Sequence, residues 1–147
     1  MKQYQVFILA ALAISIVLSS CRIEAEEIQY GHDQCSFCKM NIVDKAHSAQ
    51  YVTNKGKQHK FDAIECMIRD LDKVENEPAI SLVADYGKPG TMIAAAEASY
   101  IISPNIKSPM GANLSAVSSI EKGEALVEEY TGELFDWNRV RSKILKK

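Results

Sequence analysis

The chain has 147 residues and a formal net charge of −2 at pH 7, a length that suits one compact domain or two very small subdomains sharing a core. Acidic and basic residues nearly balance and no basic stripe runs along the sequence, so nucleic acid is not an expected partner. The sequence shows neither a glycine-rich phosphate loop nor a Ser/His/Asp arrangement with supporting motifs, and we therefore do not expect an enzyme.

The first twenty residues predict a signal peptide. Lys2 supplies an early positive charge, an apolar run extends from about Val6 to Leu18, and two serines precede Cys21. Small residues directly before a cysteine resemble the lipobox of bacterial lipoproteins, where the cysteine is acylated and becomes the mature N-terminus. An ordinary secretory signal or a transmembrane anchor is the alternative, although the apolar run is short for a span of about 20 residues.

We therefore expect a lipoprotein signal peptide at 1–20, lipidation at Cys21 and a flexible acidic tether at 21–31. Three cysteines then remain, Cys35, Cys38 and Cys66. An odd number of cysteines in an oxidising compartment leaves at least one thiol without an internal partner. Because stable exported domains tend to pair their cysteines or omit them, this count hints at a soft-metal site.

The chain after Cys38 predicts a strand–strand–helix–strand unit. Strand-like segments at 46–53 and 57–61 flank the turn residues Asn54-Lys55-Gly56. A helix is predicted to begin at Asp62, with Glu65 completing a capping box. Its apolar residues recur with helical spacing, and they are Ile64, Met67, Ile68 and Leu71. A buried strand at 79–86 and a turn at 87–90 close the unit.

The second half repeats this order. A strand is predicted within 92–103 and another at 114–117, and Ser118 with Glu121 forms a second capping box. The following helix is predicted to end at Gly132 and to turn three side chains inward, those of Leu126, Val127 and Tyr130. A closing strand is expected at 133–140. The predicted fold class is α+β, with two small ββαβ units, about 32–90 and 91–147, packed together in a domain spanning 32–147.

The Cys35-x-x-Cys38 pair permits several chemistries. A zinc clasp normally uses a second pair at similar spacing, whereas this chain offers only His32 and Cys66 to complete four ligands. A thioredoxin-like dithiol normally opens a helix after a strand, whereas this pair precedes strand-like sequence in a predicted loop. A plain disulfide in an exported protein is a further alternative.

Copper(I) matches the donor atoms better, because thiolate and thioether ligands select this soft ion. Cys38 and Met40 offer two sulfur donors within one short loop, and Met110 lies in a loop constrained by proline and glycine. Cys66, at the flank of the apolar stripe, either is a small core residue or faces the site. The remaining candidates are interpreted as core or as non-ligating residues, and they are Met67, Met92, His32, His47 and His59.

Four short motifs follow one another along about residues 30–140. They are Cys35-x-x-Cys38-x-Met40, then Lys60-Phe61-Asp62-x-Ile64-Glu65-Cys66-Met67, then Tyr100-Ile101-Ile102 with Ser108-Pro109-Met110-Gly111, and finally Gly-Glu-Leu at 132–134. Together with the lipobox, this pattern resembles the NosL family, the copper-chaperone lipoproteins of nitrous oxide reductase maturation. Two departures are Lys39, where the family often has glycine, and Ala116-Val117, where it often has alanine-phenylalanine.

The resemblance implies a lipid-anchored membrane protein that faces the periplasm or the cell exterior and is built from two ββαβ units. It implies binding of copper(I) and delivery towards nitrous oxide reductase, together with an ABC-type membrane complex. It also implies ligand candidates at Met40, Met110 and Cys38, with Cys35 and Cys66 behind them. The alternative function is a thiol–disulfide lipoprotein that uses Cys35 and Cys38.

Overall fold

A computed structural model describes residues 22–146. The predicted signal peptide and the predicted lipidation site, Cys21, lie outside the described residues. Within 22–146, no helix combines the length and the apolar character that crossing a membrane requires.

The segment predicted to be a flexible tether lies against the domain instead. The side chain of Gln58 accepts a hydrogen bond from the Glu26 amide at 3.2 Å and donates one to the Glu24 carbonyl at 2.9 Å. The Lys60 ammonium donates to the Glu27 carbonyl at 2.9 Å, and Ile28 is buried. These contacts begin at Glu24, and the polar composition of the segment does not reveal them.

Seven strands and three helices occur in residues 22–146. In chain order they are β1 (Ala49–Val52), β2 (Gln58–Phe61), α1 (Ile64–Leu71), β3 (Ile80–Ala84), β4 (Met92–Ala94), β5 (Ser99–Ile102), β6 (Leu114–Val117), α2 (Ile120–Tyr130), β7 (Glu133–Phe135) and α3 (Trp137–Leu145). The element order contains the two predicted ββαβ units, followed by β4 in the first half and by α3 in the second. The predicted α+β class is confirmed.

The strands form two antiparallel sheets. The first has the order β2-β1-β3-β4, and the second has the order β6-β5-β7. The sheets are joined where the chain leaves β3, because the Tyr86 amide donates to the Ala116 carbonyl at 2.8 Å. The His47 imidazole adds a second link, since it lies 2.8 Å from the Asp44 carboxylate and 3.1 Å from the Ser115 hydroxyl. His47 is therefore a buried structural residue, whereas His32 is exposed.

Helix α1 supplies the centre of the core. Its predicted apolar stripe is confirmed, because Ile64, Met67, Ile68 and Leu71 are all buried. The helix contacts β1 and β2 as well as α3, so it is covered on most sides. Burying each such side chain contributes about 1.5–3 kcal/mol, which fixes α1 and the residues that it carries firmly in place.

The segment predicted as one strand at 92–103 is two strands. A turn at 95–97 separates β4 from β5, and each strand joins a different sheet. The Tyr100 hydroxyl donates to the Ala95 carbonyl at 2.6 Å, which holds the turn against β5. A largely apolar segment does not by itself show where a chain changes from one sheet to another.

Helix α2 begins one residue later than its predicted capping box. Ser119 is the N-cap and accepts from the Lys122 amide at 3.4 Å. The three residues predicted to face inward are only partly buried, and Gly123 is the buried one. The helix ends at Tyr130, close to the predicted Gly132. A Cβ on Gly132 would lie 2.7 Å from the Ile102 carbonyl oxygen, so this close approach of two backbones requires glycine.

The predicted closing strand at 133–140 is wrong after Phe135. The Asp136 carboxylate accepts from the Arg139 amide at 2.9 Å, which makes Asp136 the N-cap of α3. Val140 and Ile144, four residues apart, turn into the core. This i, i+4 pair with an aspartate before the first helical residue is the signal that the sequence offered for a helix.

Replacing Asp136 by alanine should lower the free energy of unfolding by about 1 kcal/mol, because the amides at the start of α3 lose their acceptor. Asp136→Asn is the matched control, since asparagine caps helices equally well. Urea denaturation of both variants beside the parent checks this. Equal losses in both variants would contradict a capping role for the side chain.

Candidate metal centre

Four potential metal donors from two distant segments meet at one end of α1. They are the thiols of Cys35, Cys38 and Cys66 and the carboxylate of Asp62, and their donor atoms all lie within 4.8 Å of one another. Cys35, Cys66 and Asp62 are buried, and Cys38 is half-buried. The structure thus brings together the three cysteines that were predicted as ligands and adds Asp62, which the sequence did not single out as one.

The first segment is a tight loop that closes on itself. The Cys35 amide donates to the Met40 carbonyl at 2.8 Å, and the Lys39 amide donates to the Cys35 carbonyl at 3.0 Å. An isolated antiparallel bridge between Gln34 and Asn41 joins the two ends of the loop. The Ser36 amide donates to the Lys60 carbonyl at 2.8 Å, so the loop is anchored to β2 and its cysteines face the start of α1.

Lys39 lies between Cys38 and Met40, at the position where glycine was expected. Its backbone adopts the left-handed conformation, with φ of 68°, which glycine adopts without steric cost. The Lys39 ammonium donates to the Ser36 carbonyl at 2.6 Å. The loop therefore keeps a glycine-type geometry in spite of the lysine side chain.

Lys39→Gly should raise the free energy of unfolding by up to about 1 kcal/mol, because it removes the strain of a left-handed L-residue. Lys39→Ala is the control, since it removes the ammonium group but keeps the strain. Thermal unfolding of both variants distinguishes backbone strain from the side-chain contact. A loss of stability in Lys39→Gly would show that the contact with Ser36 outweighs the strain.

The second segment is the junction of β2 and α1, where the predicted capping box is wrong. Ala63 is the N-cap of α1 and makes no side-chain capping bond. The Asp62 carboxylate instead accepts from the Cys38 thiol at 3.4 Å. Cys66 follows one helical turn later and is fully buried. Asp62 directly before the helix and Cys66 in its first turn both lie beside the loop that carries Cys35 and Cys38.

Glu65 also leaves its predicted capping role. It is fully buried, and its Oε1 accepts from the Ser108 hydroxyl at 2.5 Å and from the Ala112 amide at 3.1 Å. These two donors flank Met110, so Glu65, which directly precedes Cys66, ties the Met110 loop to α1. A sequence pattern could not reveal this contact, because it joins segments more than forty residues apart.

The two methionine candidates lie in different environments. The Met40 side chain is 53% exposed at the end of the cysteine loop. Met110 is partly buried and packs against the core. Met40 is therefore open to solvent and to a partner, whereas the Met110 loop is fixed by its bonds to Glu65.

Hydrogen bonding among the thiols makes them chemically unequal. The Cys66 thiol bonds to the Cys35 sulfur, which lowers the pKa of Cys35 and raises the pKa of Cys66. Burial raises the pKa of Cys38 to about 11, and burial likewise raises the pKa of the Asp62 carboxyl. All three cysteines are free thiols. A bound cation would displace the protons of these thiols.

The chain is similar to known proteins in sequence and in fold. The family model NosL matches residues 27–145. Among solved structures, the chain is similar to the crystal structure of the copper chaperone NosL from Shewanella denitrificans, with a TM-score of 0.68 and 21% identity over 80% of this chain and 95% of that chain. At this identity the likeness shows the fold. A comparison with curated protein sequences finds no match. Because the family model covers most of its length, the chain belongs to the NosL family.

Proposed function

We propose that this protein binds one copper(I) ion at the cysteine cluster and delivers it to an exported cuproenzyme, with nitrous oxide reductase as the recipient. The observation that carries the proposal is the convergence of three free thiols from two segments within 4.8 Å. Thiolate ligands select copper(I) over hard cations. Membership in the NosL family supports the role of a chaperone.

Copper(I) is the cargo of this site, and we assign its ligands to the sulfur donors. Cys35, Cys38 and Cys66 supply thiolates from the cluster, and Met40 and Met110 supply thioethers around it. The buried thiols of Cys35 and Cys66 exclude water from the ion. Neutral thioethers bind a soft cation without adding negative charge, which keeps the loaded site easier to discharge.

Release follows from the unequal exposure of the donors. Cys38 is half-buried and Met40 is exposed, whereas Cys35 and Cys66 are covered. A ligand of the recipient approaches from the side of Cys38 and Met40 and binds the ion before the buried thiols leave. Ligand exchange of this kind needs an accessible loop on a rigid support, and α1 provides that support.

We further propose that a lipid on Cys21 holds the protein to the membrane and that an ABC-type membrane complex assists the transfer. Backbone groups from Glu24 onward bond to Gln58 and Lys60 of β2, and the cysteine loop is anchored to the same strand at Lys60. Three residues span about 10 Å at most. A lipid on Cys21 would therefore hold this edge of the domain near the membrane surface.

The test is an anaerobic copper(I) titration of the reduced full-length protein in detergent against a competing chromophoric chelator. We expect one ion per chain, held more tightly than by the chelator. Binding that fails to compete even with a weak chelator would overturn the assignment. Cys21→Ser should bind the same ion but leave the membrane fraction, which separates cargo binding from anchoring.

The alternative thiol–disulfide function finds less support in the same geometry. A thiol that attacks a disulfide needs a lowered pKa together with exposure. In this chain the thiol with the lowered pKa, Cys35, is fully buried, whereas the more exposed Cys38 has its pKa raised to about 11. A thiol count without reductant distinguishes the two functions, since the chaperone retains three free thiols and the redox protein forms a Cys35–Cys38 disulfide.

A further inference from the structure

The fourth donor of the cluster is an oxygen atom, which copper(I) does not need. Asp62 is 2% exposed, and its carboxylate accepts from the Cys38 thiol at 3.4 Å. It does not cap α1, because Ala63 is the N-cap residue. A carboxylate buried among three thiols is a hard donor added to a soft set, and that combination suits a borderline cation better than a soft one.

The spacing of the four donors fits a tetrahedral ion. Zinc–sulfur bonds of about 2.3 Å and zinc–oxygen bonds of about 2.0–2.2 Å place the ligand atoms of a tetrahedron roughly 3.5–3.8 Å apart. The four donor atoms lie within 4.8 Å of one another, and Cys38 Sγ is already 3.4 Å from Asp62 Oδ1. Closing the site thus requires movements of about 1 Å or less, within reach of small side-chain rotations.

We propose that the copper-free centre binds one zinc(II) ion in a closed four-coordinate site made by Cys35, Cys38, Cys66 and Asp62. The thiols that are protonated release their protons to solvent as zinc binds. The proposal deepens the proposed function and rests on it for the exchange step, in which copper(I) takes the thiolates and zinc leaves. Zinc then serves as a placeholder that prevents these thiols from forming disulfides in an oxidising compartment.

Asp62 is the residue that distinguishes the two metals in this scheme. Zinc needs the carboxylate as its fourth ligand, whereas copper(I) is satisfied by sulfur donors alone. The pattern Cys35-x-x-Cys38 with Cys66 suggested His32 as the fourth zinc ligand. His32 is exposed in the turn that precedes the loop, outside the group of four donors, and Asp62 stands in its place.

The test compares zinc(II), cobalt(II) and copper(I) binding by the metal-free, reduced full-length protein and by Asp62→Asn. We expect one zinc ion per parent chain. The cobalt(II) derivative should show thiolate-to-metal charge-transfer bands and tetrahedral d–d bands. The X-ray absorption spectrum at the zinc K-edge should be fitted by three sulfur atoms and one oxygen atom. Asp62→Asn should lose more than about tenfold in zinc affinity while its copper(I) affinity stays unchanged. Asp72→Asn is the matched control, because Asp72 is an exposed carboxylate at the far end of α1.

The outcomes separate this inference from the proposed function. A parent protein that binds copper(I) but no zinc overturns the placeholder only, and one that binds neither metal overturns both. Equal zinc affinity in Asp62→Asn and the parent also overturns it, as does an equal loss of both metals in a variant that melts like the parent. If the variant does not fold, the X-ray absorption spectrum of the zinc-loaded parent decides whether Asp62 is a ligand. A fit with four sulfur atoms, or with no oxygen atom, would exclude Asp62.

Discussion

Replacing Cys66 by alanine should lower the copper(I) affinity by at least about 100-fold. The change removes the thiol that α1 contributes and leaves the two cysteines of one loop, Cys35 and Cys38. It also removes the hydrogen bond that lowers the pKa of Cys35. Competition with a chromophoric chelator under anaerobic conditions measures the loss.

Met67→Leu is the matched control for this variant, because Met67 lies next to Cys66 on α1 and packs in the core. Its copper(I) affinity should equal that of the parent. This result would show that a change in the packing of α1 does not by itself weaken copper(I) binding. Met40→Ala and Met110→Ala belong in the same series, and we expect a smaller loss in each. A Cys66→Ala variant that binds copper(I) as tightly as the parent would place the ion outside the cluster.

Replacing Glu65 by alanine should lower the free energy of unfolding by about 2–4 kcal/mol. The buried Ser108 hydroxyl and the Ala112 amide would lose their shared acceptor, and a cavity would remain where the side chain was. For a domain of this size the melting temperature should fall by roughly 10 °C. Thermal unfolding followed by circular dichroism measures the change.

Glu65→Gln separates the hydrogen bonds from the charge, since the amide keeps one oxygen acceptor at nearly the same volume. It should lose no more than about 1 kcal/mol. Because Glu65 fixes the loop that carries Met110, Glu65→Ala should also weaken copper(I) binding in the folded protein, whereas Glu65→Gln should not. Equal destabilisation by both changes would indicate that the negative charge, and not the acceptor, holds the loop.

The two capping boxes show how local patterns can fail in a real fold. Asp62 and Glu65 have the spacing of a box, but each forms a tertiary contact instead, with Cys38 and with the Met110 loop respectively. Ser118 has the same spacing to Glu121, yet the adjacent Ser119 caps α2. Both patterns correctly indicate that a helix begins nearby. Which residue caps the helix depends on the tertiary contacts of the candidates.

The missed helix α3 has a different cause. The residues after Phe135 alternate well enough to continue a strand, and they also carry an N-cap and an i, i+4 apolar pair. Propensity alone does not choose between the two. The choice is made by α1, because Val140 and Ile144 find a buried surface there only as a helix.

The sequence by itself determined the features that depend on near neighbours. The hairpin of β1 and β2, the apolar stripe of α1, the α+β class and the loop with Cys35 and Cys38 all follow from residue spacing within short windows. The tertiary structure alone decided which distant groups meet. Burial and long-range hydrogen bonds bring Cys66 and Asp62 to the loop, and they turn Glu65 towards the Met110 loop, because the free energy of such contacts depends on the packed surroundings and not on the distance along the chain.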